Sequence, residues 1–255
     1  MALSSHNSFV SRIAAGFVKR QCIYGENQAI TSTTLLVGST FPLHKISVTQ
    51  AMNGSLPSGV TSFIPTCAQM FCTTTFGPVL VAKLIDLGNL NIATPTFTDG
   101  SNMGSDTVAG QTLSRASAVI AEVTTVLNAT PGNLGITYVD QDGNTAEATT
   151  VTALTTIAVV GTCAWVPLNS PDWGVRDITT ATRTGGTTPT GVVQFWGLVP
   201  IGMLYINAET QPGFRDFITT APNIVKLGIN DVIGFIAGAT VVRGEHGSIQ
   251  LVGDN

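Results

Sequence analysis

The sequence predicts a mainly β protein: an antiparallel β-sandwich, jelly-roll-like, with a short N-terminal helix. Three observations carry this. Apolar and β-branched runs recur at strand-like spacing, punctuated by Gly and Pro turns, the pattern of sandwiches and jelly rolls. Threonine outnumbers the 27 glycines, and β-branched residues suit a pleated, half-buried surface. Only 10% of the 255 residues are charged, against roughly 25% in an ordinary soluble domain.

The elements follow in chain order. Over residues 8–20, Phe9, Ile13 and Phe17 recur at i, i+4, i+8, the stripe of an amphipathic helix. Ser8 serves as N-cap, and Lys19 and Arg20 fall in the last turn, where cations suit the dipole. Residues 28–50 read as β. Residues 62–71 (SFIPTCAQMF) read as a short helix, with Pro65 near its first turn. Residues 78–87 fit either strand or helix. Residues 89–110 are rich in Asn, Thr, Gly, Ser and Asp and mark a boundary. Two regions result: 1–90, an N-terminal arm with some β structure that attaches to a partner, and 91–255, the β-sandwich.

Beyond the boundary, residues 118–127 and 134–139 read as strands, and Leu134, Ile136 and Tyr138 share one face. Asp142-Gly143 signals a tight hairpin, with a return strand over 145–153. Further strands are expected at 156–166, 174–183, 191–199 and 203–207. A last pair, 231–242 and 248–252, is joined by the RGEHG turn.

The charge deficit is uneven: Ile46–Ala82, Ala148–Pro171 and Thr184–Ala208 contain no Asp, Glu, Lys or Arg. Such stretches are core strands or subunit contacts. A formal net charge of −4 argues against binding nucleic acid through phosphate neutralisation. The N-terminus shows no continuous apolar stretch of a secretory signal, and no apolar run approaches the roughly 20 residues that span a bilayer. The expectation is no nucleic acid and no membrane.

Chemistry is thinly represented. His6, His44 and His246 lack metal-site spacing. No GxSxG elbow or phosphate-cradling glycine loop occurs. Cys22, Cys67, Cys72 and Cys163 form no CxxC pair, and Cys163 sits in an apolar strand, where a thiolate is unfavourable. The run Asp140-Gln141-Asp142-Gly143 begins like a calcium loop but lacks the bidentate Glu at the right spacing. The expectation is no enzyme, with no catalytic, cofactor-binding or metal-ligating residues. Phe195 and Trp196 are adjacent in a strand and must point to opposite faces. One ring is core, and Trp173, Arg176 and Trp196 are candidate oligomer contacts.

Two stretches carry a resemblance: Ile136–Gly143 (ITYVDQDG), and Pro167-Leu168 with Asp172–Arg176 (DWGVR). Over roughly residues 90–255 the chain resembles a family of tailed-bacteriophage virion proteins described as capsid decoration or cement proteins. Where relatives often carry Arg in the hairpin, this chain has Thr145-Ala146-Glu147. The resemblance implies a non-enzymatic structural protein on the capsid surface of the virion, made in the host bacterial cytoplasm. It also implies a homotrimer that binds the major capsid protein across capsomers, with no cofactor. Phe9, Arg12, Ile13, Phe17, Lys19 and Arg20 are the candidate capsid-docking residues. The alternative is a tail or adhesion protein that binds a host surface glycan.

Overall fold

The structure, a computed structural model, describes residues 18–24, 40–48, 60–71, 77–100, 107–108, 111–112, 116–127, 132–145, 147–151, 160–169, 171–186, 190–206, 213–217, 225–237 and 246–254. The secondary-structure elements among them are all strands. In order they are β1 (Val18–Tyr24), β2 (Thr40–Ser47), β3 (Ser62–Phe71), β4 (Gly77–Asn91), β5 (Thr96–Asp99), β6 (Thr107–Val108), β7 (Gln111–Thr112), β8 (Ala118–Thr125) and β9 (Asn133–Asp140). Then come β10 (Glu147–Val151), β11 (Thr162–Trp165), β12 (Val175–Thr184), β13 (Val192–Ile206), β14 (Gly213–Asp216), β15 (Leu227–Gly228), β16 (Val232–Ala237) and β17 (His246–Asp254). Every strand pairing is antiparallel. No helix among the described residues is long and apolar enough to cross a membrane.

The largest sheet runs β13-β8-β11-β2-β16-β4 and closes on itself, because β4 also pairs with β13. The result is a six-stranded ring, which removes the free edges an open sheet would present. Its interior is one contiguous apolar cluster drawn from every strand: Leu43, Ala82 and Leu84, Ile120, Cys163, Leu198 and Ile236. Space there is tight. A Cβ on Gly234 would lie 2.8 Å from Leu84 Cδ2, so only glycine fits that position unchanged.

Two further sheets pack on the outside of the ring. β1-β17-β3-β14, with β15 beside β3, covers one side. Phe63, Ala68, Ile249 and Leu251 from that sheet meet Val79, Val81, Ile233 and Phe235 from the ring wall. β10-β9-β12 covers the other side. There Leu134, Ile136, Tyr138, Val175 and Ile178 meet Leu87, Val119, Ala121 and Phe195. The β4–β13 seam, paired from Gly77–Ile206 to Asn91–Val192, contributes to all three cores. The expected boundary between residues 90 and 91 falls inside β4, and strands from both sides of it build the one ring.

Several local expectations are corrected. The segment 62–71 is strand β3 rather than a helix. Its residues 62–66 are all buried, so the alternation that marks a half-exposed strand is absent. Pro65 sits beside a bulge at Thr66, a place where a strand tolerates proline. The Val199-Pro200-Ile201-Gly202 run does not end a strand. Ile201 bulges out of register and β13 continues to Ile206. β16 and β17 do not form a hairpin: β16 joins the ring between β2 and β4, and β17 pairs with β1 and β3. The short N-terminal helix is not seen. Val18, Lys19 and Arg20 belong to strand β1, paired with Val252, Leu251 and Gln250, where ladder hydrogen bonds to β17 outweigh the helical spacing. Residues 8–17 lie outside the described residues.

Candidate functional site

A dense polar network among the described residues lies where the β9–β10 hairpin meets the loop leading into β12. β9 ends at Asp140, and the chain turns at once because Asp140 uses its side chain as a template. Its Oδ1 accepts the N–H groups of Asp142 and Asn144, each at 2.8 Å, and its Oδ2 accepts the Asn144 Nδ2 at 2.7 Å. The Gly143 N–H donates to the Asp140 carbonyl at 3.3 Å. Gln141 and Asp142 are therefore the central pair of the turn, and Gly143 follows them at φ +92°. The hairpin expected from Asp142-Gly143 is present, but its turn is centred one residue earlier than a two-residue Asp-Gly turn would be.

Gln141 ties this turn to the second strand of the network. Its Oε1 accepts the Trp173 and Gly174 N–H groups at 3.1 and 3.2 Å. Its carbonyl accepts the Arg176 guanidinium through Nε at 3.0 Å and Nη2 at 2.7 Å. Below it, the buried Tyr138 donates to Asp172 Oδ2 at 2.6 Å and accepts the Asn169 N–H at 2.9 Å. Asn169 Nδ2 donates to the Ala148 carbonyl at 2.9 Å and to Glu147 Oε2 at 3.3 Å.

Asp140, Glu147 and Asp172 each offer a carboxylate oxygen, and the three lie within 4.8 Å of one another. Hard cations take such oxygens. Hydrogen bonds within the network occupy at least one oxygen of each acid, and they cross-brace the two chain segments. Burial pushes the Tyr138 phenol up to about 12, reinforced by its hydrogen bond to Asp172 and by the charges of Asp172 and Glu147, while the Asn169 N–H opposes the rise. Desolvation alone would raise the Asp140 carboxyl. The hydrogen bonds from Asn144, Asp142 and Gly143 outweigh it and hold the group below the usual range.

A second polar group lies inside the ring. Glu122, 3% exposed, accepts Lys45 Nζ at 2.5 Å and Trp196 Nε1 at 2.7 Å on the same oxygen, Oε2. Lys45 Nζ sits 5.0 Å from the centroid of the Trp196 ring, in cation–π contact. The arrangement satisfies a carboxylate that would otherwise be buried alone. Cys163 lies opposite Glu122 on the neighbouring strand. Burial, with Glu122 adding to it and Lys45 opposing, raises its thiol well above the ordinary value, so it stays protonated.

The structure places the expected site residues in three locations. Trp173 and Arg176 come together around Gln141, and the Trp173 side is half exposed. Trp196 is elsewhere, packed with the ring interior, while Phe195 turns to the opposite face and is fully buried. Lys19 and Arg20 lie in β1, and Phe9, Arg12, Ile13 and Phe17 lie outside the described residues. Sequence reading did not pair Lys45 with Glu122, 77 residues apart. An ionisable residue inside an otherwise apolar β run, such as Glu122 in AVIAEVTT, is the signal that points to such a pair. No family model, no curated protein and no solved structure matches this chain.

Proposed function

We propose that the protein is a non-enzymatic virion structural protein of a tailed bacteriophage, a capsid decoration or cement protein that binds the major capsid protein across capsomers as a homotrimer. The carrying observation is that the two stretches behind the family resemblance form one unit. Ile136–Gly143 and Asp172–Arg176 interlock through Tyr138–Asp172 and through Gln141 to Trp173, Gly174 and Arg176. Sequence likeness at both stretches is thus likeness in one braced module rather than in two unrelated loops.

The architecture suits a load-bearing part. A ring with no open edge, clamped by sheets on two sides, has little that can open locally. Met203, Tyr205, Phe214, Trp165 and Trp173 nonetheless remain 44–61% exposed, and large exposed apolar side chains on a charge-poor surface fit a protein that works in an assembly. Closed-ring trimers on symmetry axes follow from heterologous contacts that close.

The test is re-addition of purified protein to particles that lack it, read by co-sedimentation and by reconstruction of the particles. Full-length protein is expected to occupy the capsid surface, and light scattering of the free protein is expected near three times 26.5 kDa. Removal of residues 1–17, which spares strand β1, is expected to weaken capsid binding while melting stays unchanged. Absence from capsids together with saccharide binding at the exposed Trp173 would replace this reading with the glycan-binding tail protein.

A further inference from the structure

A fully buried lysine faces an aspartate beside the ring wall. Lys83 lies mid-strand in β4, held between Val199 of β13 and Ile233 of β16. Its side chain has no exposed surface, whereas that of Asp231 retains 18%. Lys83 Nζ is 2.8 Å from Asp231 Oδ2. The surroundings on that face are apolar, with Val81, Ile233 and Phe235 all in the adjoining core. Asp231 is rigid as well. Its N–H donates to the Gly228 carbonyl at 3.2 Å, its own carbonyl accepts the Val48 N–H at 2.9 Å, and its Oδ2 accepts the Gly228 N–H at 2.6 Å.

We infer that Lys83 and Asp231 are a modification site, condensing after folding into an intramolecular amide that joins β4 to the turn before β16. The structure meets three conditions for the reaction. The partners are held in contact by paired backbone, which removes the entropic part of the barrier. Solvent is shut away from the Lys83 amine, so little water is present to compete with Nζ for the carboxyl carbon or to hydrolyse the amide once formed. The Gly228 N–H already points at Oδ2, where negative charge builds as the carbonyl is attacked.

The step balances without a co-reactant. One ammonium proton passes to the carboxylate and ends on Oδ1, which leaves a free amine on Nζ and keeps Oδ2 as the carbonyl oxygen under the Gly228 N–H. The Nζ lone pair forms a bond to Asp231 Cγ, and Oδ2 takes the carbonyl electron pair under the Gly228 donor. The bond from Cγ to the other carboxyl oxygen then breaks, and that oxygen leaves as water with a proton from the nitrogen. Ammonium plus carboxylate become amide plus water, and the partial exposure of Asp231 gives the water an exit.

The experiment is peptide mass spectrometry on the purified full-length protein, digested with a protease that cuts after lysine. The expected result is a peptide containing Lys83 joined to one containing Asp231, lighter than their sum by one water, with no cleavage at Lys83. Lys83→Met and Asp231→Ala should each abolish the joined species. They should also slow migration of the denatured chain on a gel, because the closed loop is lost. Recovery of the two wild-type peptides separately, with Lys83 cleaved, from folded protein after prolonged incubation would overturn the proposal. The result is independent of capsid binding.

Discussion

Tyr138 and Asp172, 34 positions apart in sequence, meet through a 2.6 Å hydrogen bond in which the phenol donates to Oδ2. The same phenol oxygen accepts the Asn169 N–H, so one side chain on β9 fixes both ends of the loop that leads to β12. The contact is made with Tyr138 wholly buried, where an unmade hydrogen bond costs most.

Replacing this tyrosine should expose that cost. In Tyr138→Phe the Asn169 N–H and an Asp172 oxygen lose their partner, which predicts a loss of about 1–3 kcal/mol and a lower melting temperature. The titration has a definite sign. The folded phenol is raised from 10.0 to about 12, so the folded state holds its proton more tightly than the unfolded chain. That contribution is complete below pH 10 and is lost as pH rises through about 12. Chemical denaturation between pH 9 and 12 should show a steeper fall for wild type than for Tyr138→Phe.

Asp140 acts at the acid end. Its carboxyl is held below 3.8 by the turn's donors, so its contribution is present above that value and is lost as pH falls below it. Asp140→Asn should lower the melting temperature at neutral pH, and the gap to wild type should shrink toward pH 3. Asp177 has the opposite sign. Burial first, then the Asp99 charge, raise its carboxyl against the Ile178 N–H. Asp177→Asn should therefore stabilise the protein at neutral pH and lose that advantage in acid.

At Gly143 the backbone is left-handed, φ +92°, and an added Cβ would lie 3.4 Å from an Arg176 guanidinium nitrogen. Gly143→Val is expected to cost about 1–3 kcal/mol through backbone strain. Gly185, also at positive φ, has nothing within 4 Å of an added Cβ. Gly185→Ala should cost less, about 1–2 kcal/mol. Melting temperatures of the two variants check this order.

Within the ring, removing one member of the Lys45–Glu122 pair should harm more than removing both. Lys45→Met leaves Glu122 buried with Trp196 as its one remaining donor among the described residues, and about 2–4 kcal/mol of destabilisation is expected, less than for a wholly buried pair because Lys45 is partly solvated. The double variant Lys45→Met with Glu122→Leu should recover much of it. Denaturant midpoints of the three proteins check this, with Trp196 fluorescence following the site.

Local pattern was enough for the strands whose two faces differ. Leu134, Ile136 and Tyr138 alternate with half-exposed neighbours in β9, and the structure buries those three side chains. Phe195 and Trp196 had to diverge because successive strand residues face opposite ways, and they do. Asp142-Gly143 marked the hairpin, though the hydrogen bonds of Asp140 chose which residues turn. The pattern failed where a strand is covered on both sides or bulges, as in β3 around Pro65 and β13 around Ile201, because burial on both faces erases the period of two. Ring closure was beyond its reach. β4 pairs with β13 across more than a hundred residues, and β16 and β17 part company into different sheets, choices made by which faces bury most apolar surface together. The pairs Lys45–Glu122 and Lys83–Asp231 follow from that closure. Their partners lie far apart along the chain, and the shared interior and wall of the ring bring the charges within bonding distance.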